Sequence, residues 1–180
     1  MHRYSQDAYL AEIILNQPLV VLALVLGCST VGVLALVVAT WRGWRKVPAV
    51  LAGCGLALAL AVTLARPQLV SYSSLRGIQP CYFNDFSLAD SLARLNFLML
   101  TPFAFFGALA TRRPWSVLVA SAAVSAFVEL LQAFTSAGSC ETQDFYNNAV
   151  GAACAVALAW LVNRAVDSGS APVAEHGSRP

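Results

Sequence analysis

Long apolar runs separated by short polar connections make up most of the chain. The apolar runs occupy residues 19–40, 47–65, 96–111, 115–135 and 146–162. A helix rises about 1.5 Å per residue, so about 20 apolar residues cross a hydrocarbon core of about 30 Å. Residues 96–111 are too few by that measure, and this crossing must include residues upstream of Asn96. The pattern predicts an all-α integral membrane protein with a bundle of five transmembrane helices.

The polar connections divide the chain into four parts. Residues 1–66 hold a first pair of helices, 67–94 form the longest connection, 95–164 hold a three-helix core and 165–180 form a tail rich in Gly, Ser and Pro. We expect a short interfacial helix at residues 88–95 and a disordered tail. The first apolar run is longer than the roughly 7–15 residues of a signal-peptide core, so we expect the first helix to be retained.

Composition agrees with a membrane protein. Hydrophobic residues make up 58% of the chain and charged residues 11%, whereas soluble domains carry about 25% charged residues. These proportions exclude an ordinary soluble domain. The formal net charge of +2 does not indicate a nucleic-acid partner, because the arginines fall largely at the ends of apolar segments. The expected partners are membrane lipids.

Basic residues predict the orientation of the bundle. They concentrate after the first, third and fifth apolar runs, as Arg42, Arg45, Lys46, Arg112, Arg113 and Arg164. Because basic loops are retained on the cytoplasmic side, the N-terminus is expected outside and the C-terminus inside. The long outer connection also carries arginines (Arg66, Arg76 and Arg94), but they are spread over more residues.

Five polar residues fall on the predicted outer side of the last three helices. They are Asn96, Glu129, Gln132, Asp144 and Asn148. An acid within a membrane helix costs from about 2.5 to more than 10 kcal/mol, so Glu129 requires a partner, a polar cavity or a proton. Ser121, Ser125, Glu129, Gln132 and Ser136 follow one another at helical spacing and share one helix face. The sequence therefore predicts one polar pocket near the outer surface.

Each pocket residue also has a purely structural interpretation. Glu129 either faces a ligand or is hydrogen-bonded to Gln132 or Asn148, or paired with Arg94. Asp144 and Asn96 suit helix caps, and Asn148 suits an interhelical hydrogen bond.

Two further features concern helix packing in the core. Gly151 opens a strip of small residues that favours close helix packing. Pro102 frees backbone carbonyls that neighbouring polar groups can satisfy.

The cysteines and histidines indicate a disulfide and give no metal site or cofactor site. Cys81 and Cys140 lie in connections on the predicted outer side, where oxidation is allowed, so we expect a bridge that ties the long connection to the pocket. The chain has no CxxC spacing, and both histidines lie near its ends.

Three motifs carry a resemblance to a known family. They are Asn96-Phe-Leu-Met-Leu-Thr-Pro-Phe-Ala-Phe-Phe-Gly, Glu129-Leu-Leu-Gln and Asp144-Phe-Tyr-Asn-Asn-Ala-Val-Gly. In this order they resemble the VanZ-like family of bacterial membrane proteins, which implies a multi-pass protein of the bacterial cytoplasmic membrane. The family's name comes from low-level resistance to the glycopeptide teicoplanin, and no catalytic residue is implied.

The chain departs from the family pattern beside the third motif. Gly138 stands where family members commonly carry an Arg, and Glu141 stands where they often have Asp. If that Arg normally pairs with an acid, the site is less neutralised here unless Arg94 substitutes.

Three functions remain open at this point. The first is a binding or resistance protein whose outer pocket engages a lipid headgroup, an envelope precursor or a glycopeptide's lipid-like tail. The second is an intramembrane enzyme that uses Glu129 and Asp144 as an acid and base on a lipid or cell-wall substrate. The third is a proton-coupled transporter with Glu129 as the carrier, which the lack of an evident internal repeat disfavours.

Overall fold

The protein is a bundle of helices. The computed structural model describes residues 2–65, 81–135 and 140–169, with the side chains of residues 2–6 and 135 left aside. Its helices are α1 His2–Leu15, α2 Pro18–Arg42, α3 Lys46–Leu64, α4 Ser91–Met99, α5 Thr101–Thr111, α6 Pro114–Thr135 and α7 Thr142–Gly169. Within these described ranges, five stretches are long and apolar enough to cross a membrane, with α4 and α5 together forming the third. The predicted all-α, five-span architecture is therefore confirmed.

Several predicted boundaries were wrong. The third span begins at Ser91, which confirms that this crossing includes residues upstream of Asn96. The short helix expected at the interface over residues 88–95 is instead α4, which covers Ser91–Met99 and is part of the span. The last helix covers Thr142–Gly169, so residues 165–169 are helical and not part of a disordered tail. Residues 170–180 lie outside the described part of the chain. The N-terminal helix α1 had no counterpart in the prediction.

The third span breaks between α4 and α5 because of Pro102. Proline has no backbone N–H, so the carbonyl four residues earlier, that of Leu98, loses its usual helical donor. The hydroxyl of Thr101 donates to this carbonyl at 2.6 Å. The expected satisfaction of a freed carbonyl by a neighbouring polar group is confirmed.

Small residues let the helices approach closely. A Cβ atom on Gly53 would lie 2.8 Å from the carbonyl oxygen of Val31 in α2, and one on Gly55 would lie 2.7 Å from the backbone nitrogen of Phe103 in α5. Glycine is therefore needed at both positions for α3 to pack between α2 and α5. The main core cluster is rich in alanine and consists of Ala59, Leu100, Ala104, Ala108, Val117, Ala152, Ala155, Val156 and Ala159.

The bundle has two distinct ends. At one end, here called the basic end, α2 is followed by α3, α5 by α6, and α7 terminates. There Asn163 is buried, accepts a hydrogen bond from Arg45 at 3.1 Å and donates one to the carbonyl of Ala108 at 3.2 Å. At the other end, here called the disulfide end, α3 and α6 finish and α4 and α7 begin. The polar residues of the predicted pocket belong to these helix termini.

Candidate functional site

One cavity at the disulfide end brings the predicted pocket residues together. It has a volume of about 230 Å³ and is lined by Asn96 of α4, Glu129 and Gln132 of α6, and Asp144 and Asn148 of α7. Each of these helices begins or ends at the disulfide end, which is why residues so far apart in the chain meet. Thr63 of α3 and apolar residues of α1, α3, α4 and α6 complete the wall; the apolar residues are Ala11, Ile14, Leu15, Leu58, Val62, Leu92, Leu95, Leu98, Met99 and Val128.

The polar face of α6 is buried in the bundle. Ser121 and Ser125 are 0% and 1% exposed, and Glu129 and Gln132 are each 7% exposed. The hydroxyl of Ser121 donates to the carbonyl of Val117, within its own helix. The helical spacing therefore identified a protein-facing stripe, and its last member, Ser136, lies outside the described residues.

Glu129 is bound by the backbone of the following connection. Its carboxylate accepts a hydrogen bond from the N–H of Glu141 at 2.9 Å. The side chain of Glu141 points elsewhere and accepts from the amide of Asn84 at 3.1 Å. Glu141 thus supports the site through its main chain, a contact that its residue type does not reveal.

A disulfide between Cys81 and Cys140 joins the long connection to the start of α7. Around this bond the two chain segments run side by side. The N–H of Tyr82 donates to the carbonyl of Cys140 at 2.8 Å, and the N–H of Thr142 donates to the carbonyl of Tyr82 at 3.0 Å. The hydroxyl of Thr142 also bonds the backbone of Asn84. These bonds fix the peptide whose N–H reaches Glu129.

Arg94 does not neutralise the acids of the cavity, contrary to one expectation. Its guanidinium forms a two-bonded ion pair with Asp7 of α1, at 2.6 and 2.8 Å. Hydrogen bonds from Arg94 and from Ser91 hold the pKa of the Asp7 carboxyl at about 2, below its usual range. The pair ties α1 to α4, and α1 then places Ala11 and Ile14 against the cavity.

The capping interpretations of Asn96 and Asp144 were wrong. Asp90 caps α4, since its carboxylate accepts from the N–H of Ala93 at 2.8 Å, and Asn96 lies within the helix. The last helix begins at Thr142, so Asp144 lies inside its first turn, where the helix dipole favours a negative charge.

Gly151 supports the site by close packing. A Cβ atom at this position would overlap the carbonyl oxygen of Phe97 in α4 and lie 2.8 Å from its carbonyl carbon. The absence of a side chain lets α7 rest against the backbone of α4. Asn96 precedes Phe97 by one residue, and Asn148 precedes Gly151 by three, so this contact sets the distance across the cavity.

Several buried polar atoms have no hydrogen-bond partner within the described part of the chain. They are Ser125 Oγ, Gln132 Oε1, Asn148 Oδ1 and both side-chain polar atoms of Asn147. Asn147 is 0% exposed and was missed by the sequence analysis. The adjacent pair Asn147 and Asn148 in a membrane span was the available signal, because two consecutive amides cannot both face one cavity.

Within residues 2–65, 81–135 and 140–169, no three His, Cys, Asp or Glu side chains cluster closely enough to hold a metal ion. Gly138, where the family commonly has an Arg, lies outside the described residues.

Comparison with known proteins gives a family match. The model of the family described as VanZ/LLP1 matches residues 60–163, which include α4 to α6, most of α7 and every polar residue of the cavity. No similar curated protein and no similar solved structure was found.

Proposed function

The chain belongs to the VanZ/LLP1 family, and from this premise we propose that it binds an amphipathic molecule in the membrane, with the polar headgroup held in the Glu129 cavity. The observation that carries the proposal is the division of the cavity wall. Asn96, Glu129, Gln132, Asp144 and Asn148, with Thr63, form its polar part, and apolar residues form the rest. A ligand with one polar and one apolar end matches such a wall.

The size of the cavity supports a headgroup as its occupant. Pockets for complete drug-sized ligands measure about 300–1,000 Å³. The volume here is about 230 Å³, enough for a headgroup and too small for an acyl chain as well. Leu15, Leu92 and Leu98 line the cavity and are 43%, 49% and 57% exposed. In a bilayer these leucines lie where the apolar part of the ligand would join the surrounding lipid.

The unpartnered amide oxygens also support a bound ligand. A buried polar atom without a partner costs about 1–3 kcal/mol. Gln132 and Asn148 each carry an amide oxygen that has no partner among the residues the structure describes, and both line the cavity. A ligand that hydrogen-bonds to them recovers part of this free energy, which makes the site selective for polar groups.

We further propose that the cavity faces the outside of a bacterial cytoplasmic membrane. The basic end carries Arg42, Arg45, Lys46, Arg112, Arg113 and Arg164, which is the distribution expected of a cytoplasmic surface. A disulfide at the opposite end agrees with an oxidising compartment. Candidate ligands on that side are a lipid, an envelope precursor and the lipid-like tail of a glycopeptide, the last of these giving a resistance role.

Filling the cavity tests the proposal. Val62 lines the cavity, so Val62→Trp should occupy part of it. Val119 is 67% exposed on α6 and does not line the cavity, so Val119→Trp is the matched control. Native mass spectrometry of the delipidated protein titrated with a bacterial polar lipid extract should show weaker binding for Val62→Trp only. Equal binding by both variants and the unaltered protein would contradict the proposal.

An acid–base enzyme is the second candidate, because Glu129 and Asp144 line the same cavity. Two carboxylates in different surroundings can act as acid and base. If the protein is an enzyme, Glu129→Gln and Asp144→Asn should each abolish conversion of a bound lipid, measured by mass spectrometry of the extracted lipid. Unchanged lipid in the presence of the unaltered protein would favour the binding function.

A further inference from the structure

We propose that the headgroup held in the cavity carries a primary ammonium group, as in an ethanolamine phospholipid. This inference rests on the proposed function and names the class of its ligand. It is drawn from the two carboxyl groups that line the cavity and from two lining amide oxygens that have no hydrogen-bond partner among the described residues.

Three of the acceptors come from α6 and α7. Glu129 contributes a carboxylate from α6, and Gln132 and Asn148 contribute amide oxygens from α6 and α7. The amide oxygens are unpartnered within the described residues, and their side chains are 7% and 6% exposed. A carboxylate accepts hydrogen bonds only, so Glu129 in its charged form favours a donor. Asp144 adds a second acidic side chain to the wall.

Cations are missing from the same wall. Among the described residues that line the cavity, none is Lys, Arg or His. Arg94, which the sequence analysis considered as a partner for the acids of the cavity, is instead hydrogen-bonded to Asp7. The cavity therefore disfavours a terminal phosphate or carboxylate beside Glu129, because its acids would repel it, and favours a phospholipid whose terminal group is cationic.

A primary ammonium fits these acceptors better than a quaternary one. An –NH₃⁺ group has three N–H donors, which is the number of acceptor groups contributed by Glu129, Gln132 and Asn148. A trimethylammonium group carries the same charge and has no N–H, so it would leave the two amide oxygens unpartnered. The structure thus predicts selectivity for ethanolamine over choline headgroups.

The test compares two phospholipids that differ only in the headgroup. Delipidated protein is titrated with phosphatidylethanolamine and with phosphatidylcholine of identical acyl chains, and binding is measured by native mass spectrometry. We expect the ethanolamine lipid to bind about tenfold or more tightly, because hydrogen bonds to charged groups are among the strong ones. Equal affinity for the two lipids would overturn the inference.

Variants connect the selectivity to the cavity. Glu129→Gln keeps the shape of the side chain and removes the charge, so it should reduce ethanolamine-lipid affinity about tenfold. The same change at Glu12, which is exposed and does not line the cavity, should have no effect. If Glu129→Gln fails to fold, Gln132→Met removes one acceptor at similar length and should lower the selectivity several-fold. Undiminished selectivity in the folded variants would contradict the inference.

The outcomes separate this inference from the proposed function. If both lipids bind equally and Val62→Trp weakens both, the proposed function stands and the ammonium inference fails. If Val62→Trp weakens neither, the proposed function itself fails. If water-soluble ethanolamine competes with an affinity equal to that of the ethanolamine phospholipid, the ammonium chemistry is supported and the assignment of a lipid as the ligand is overturned.

Discussion

Gly151→Ala should destabilise the bundle although alanine is the better helix former. In an ordinary helix interior this change stabilises by about 1 kcal/mol. At this position the new Cβ overlaps the carbonyl oxygen of Phe97 and lies 2.8 Å from its carbonyl carbon. Carbon atoms in contact prefer about 3.5–4.0 Å, so this contact and the closer overlap with the oxygen require α4 and α7 to separate by at least about 1 Å. A backbone group cannot rotate away as a side chain can.

Such overpacking costs about 1–3 kcal/mol, and it can exceed the gain in helix propensity. The expected result is a net loss of up to about 2 kcal/mol in unfolding free energy, measured by denaturant titration of the purified protein in micelles. Gly32→Ala is the control, because its Cβ would meet nothing closer than 3.5 Å. The separation also widens the cavity between Asn96 and Asn148, so lipid binding should weaken. A Gly151→Ala variant as stable as Gly32→Ala would refute the packing argument.

Three other changes test separate parts of the structure. Cys81→Ser should raise the number of thiols titrated without reductant from three to four, and an unchanged count would exclude the disulfide. Losing this link across 59 residues should lower the free energy of unfolding by at most about 4 kcal/mol. Asp7→Asn should release α1 from α4 and speed thiol labelling of Ile14→Cys. Because the pKa of Asp7 is lowered to about 2, the ion pair should stabilise the docking of α1 on α4 at neutral pH, and this stabilisation should be lost as the pH falls through about 2. Asn163→Leu should cost about 1–3 kcal/mol in the same denaturant titration, since it leaves Arg45 without this buried acceptor; unchanged stability would contradict that role.

Segment length predicted the number of spans, and helical spacing predicted which polar residues of the candidate site lie close together. Hydrophobic length identified five crossings because a helix must match the bilayer thickness. The alternation of crossings then placed Asn96, Glu129 and Asn148 at one end, where the structure forms a cavity. The spacing within α6 identified its buried polar face because side chains three and four residues apart share one side of a helix.

Other features depend on contacts that no local pattern reveals. Helix α1 is short and only weakly apolar, and it is held by an ion pair between Asp7 and Arg94, 87 residues apart. The donor to Glu129 is a main-chain N–H of Glu141, and every non-proline residue carries such a group. α4 begins at Ser91, before the predicted start at Asn96, because Asp90 caps it. Residues 67–94 are polar, so their composition predicts a connection and not the start of a helix.

The most direct test of the cavity is the accessibility of position 96. Asn96→Cys, in a chain with Cys28, Cys54 and Cys154 replaced by Ser, is treated in intact cells with a membrane-impermeant thiol reagent. The account predicts labelling that short-chain phosphatidylethanolamine slows, and no labelling of Ala93→Cys, whose position is 2% exposed and does not line the cavity. Labelling of Asn96→Cys only after the membrane is broken would place the cavity on the cytoplasmic side. Labelling that the lipid does not slow would contradict the proposed binding site.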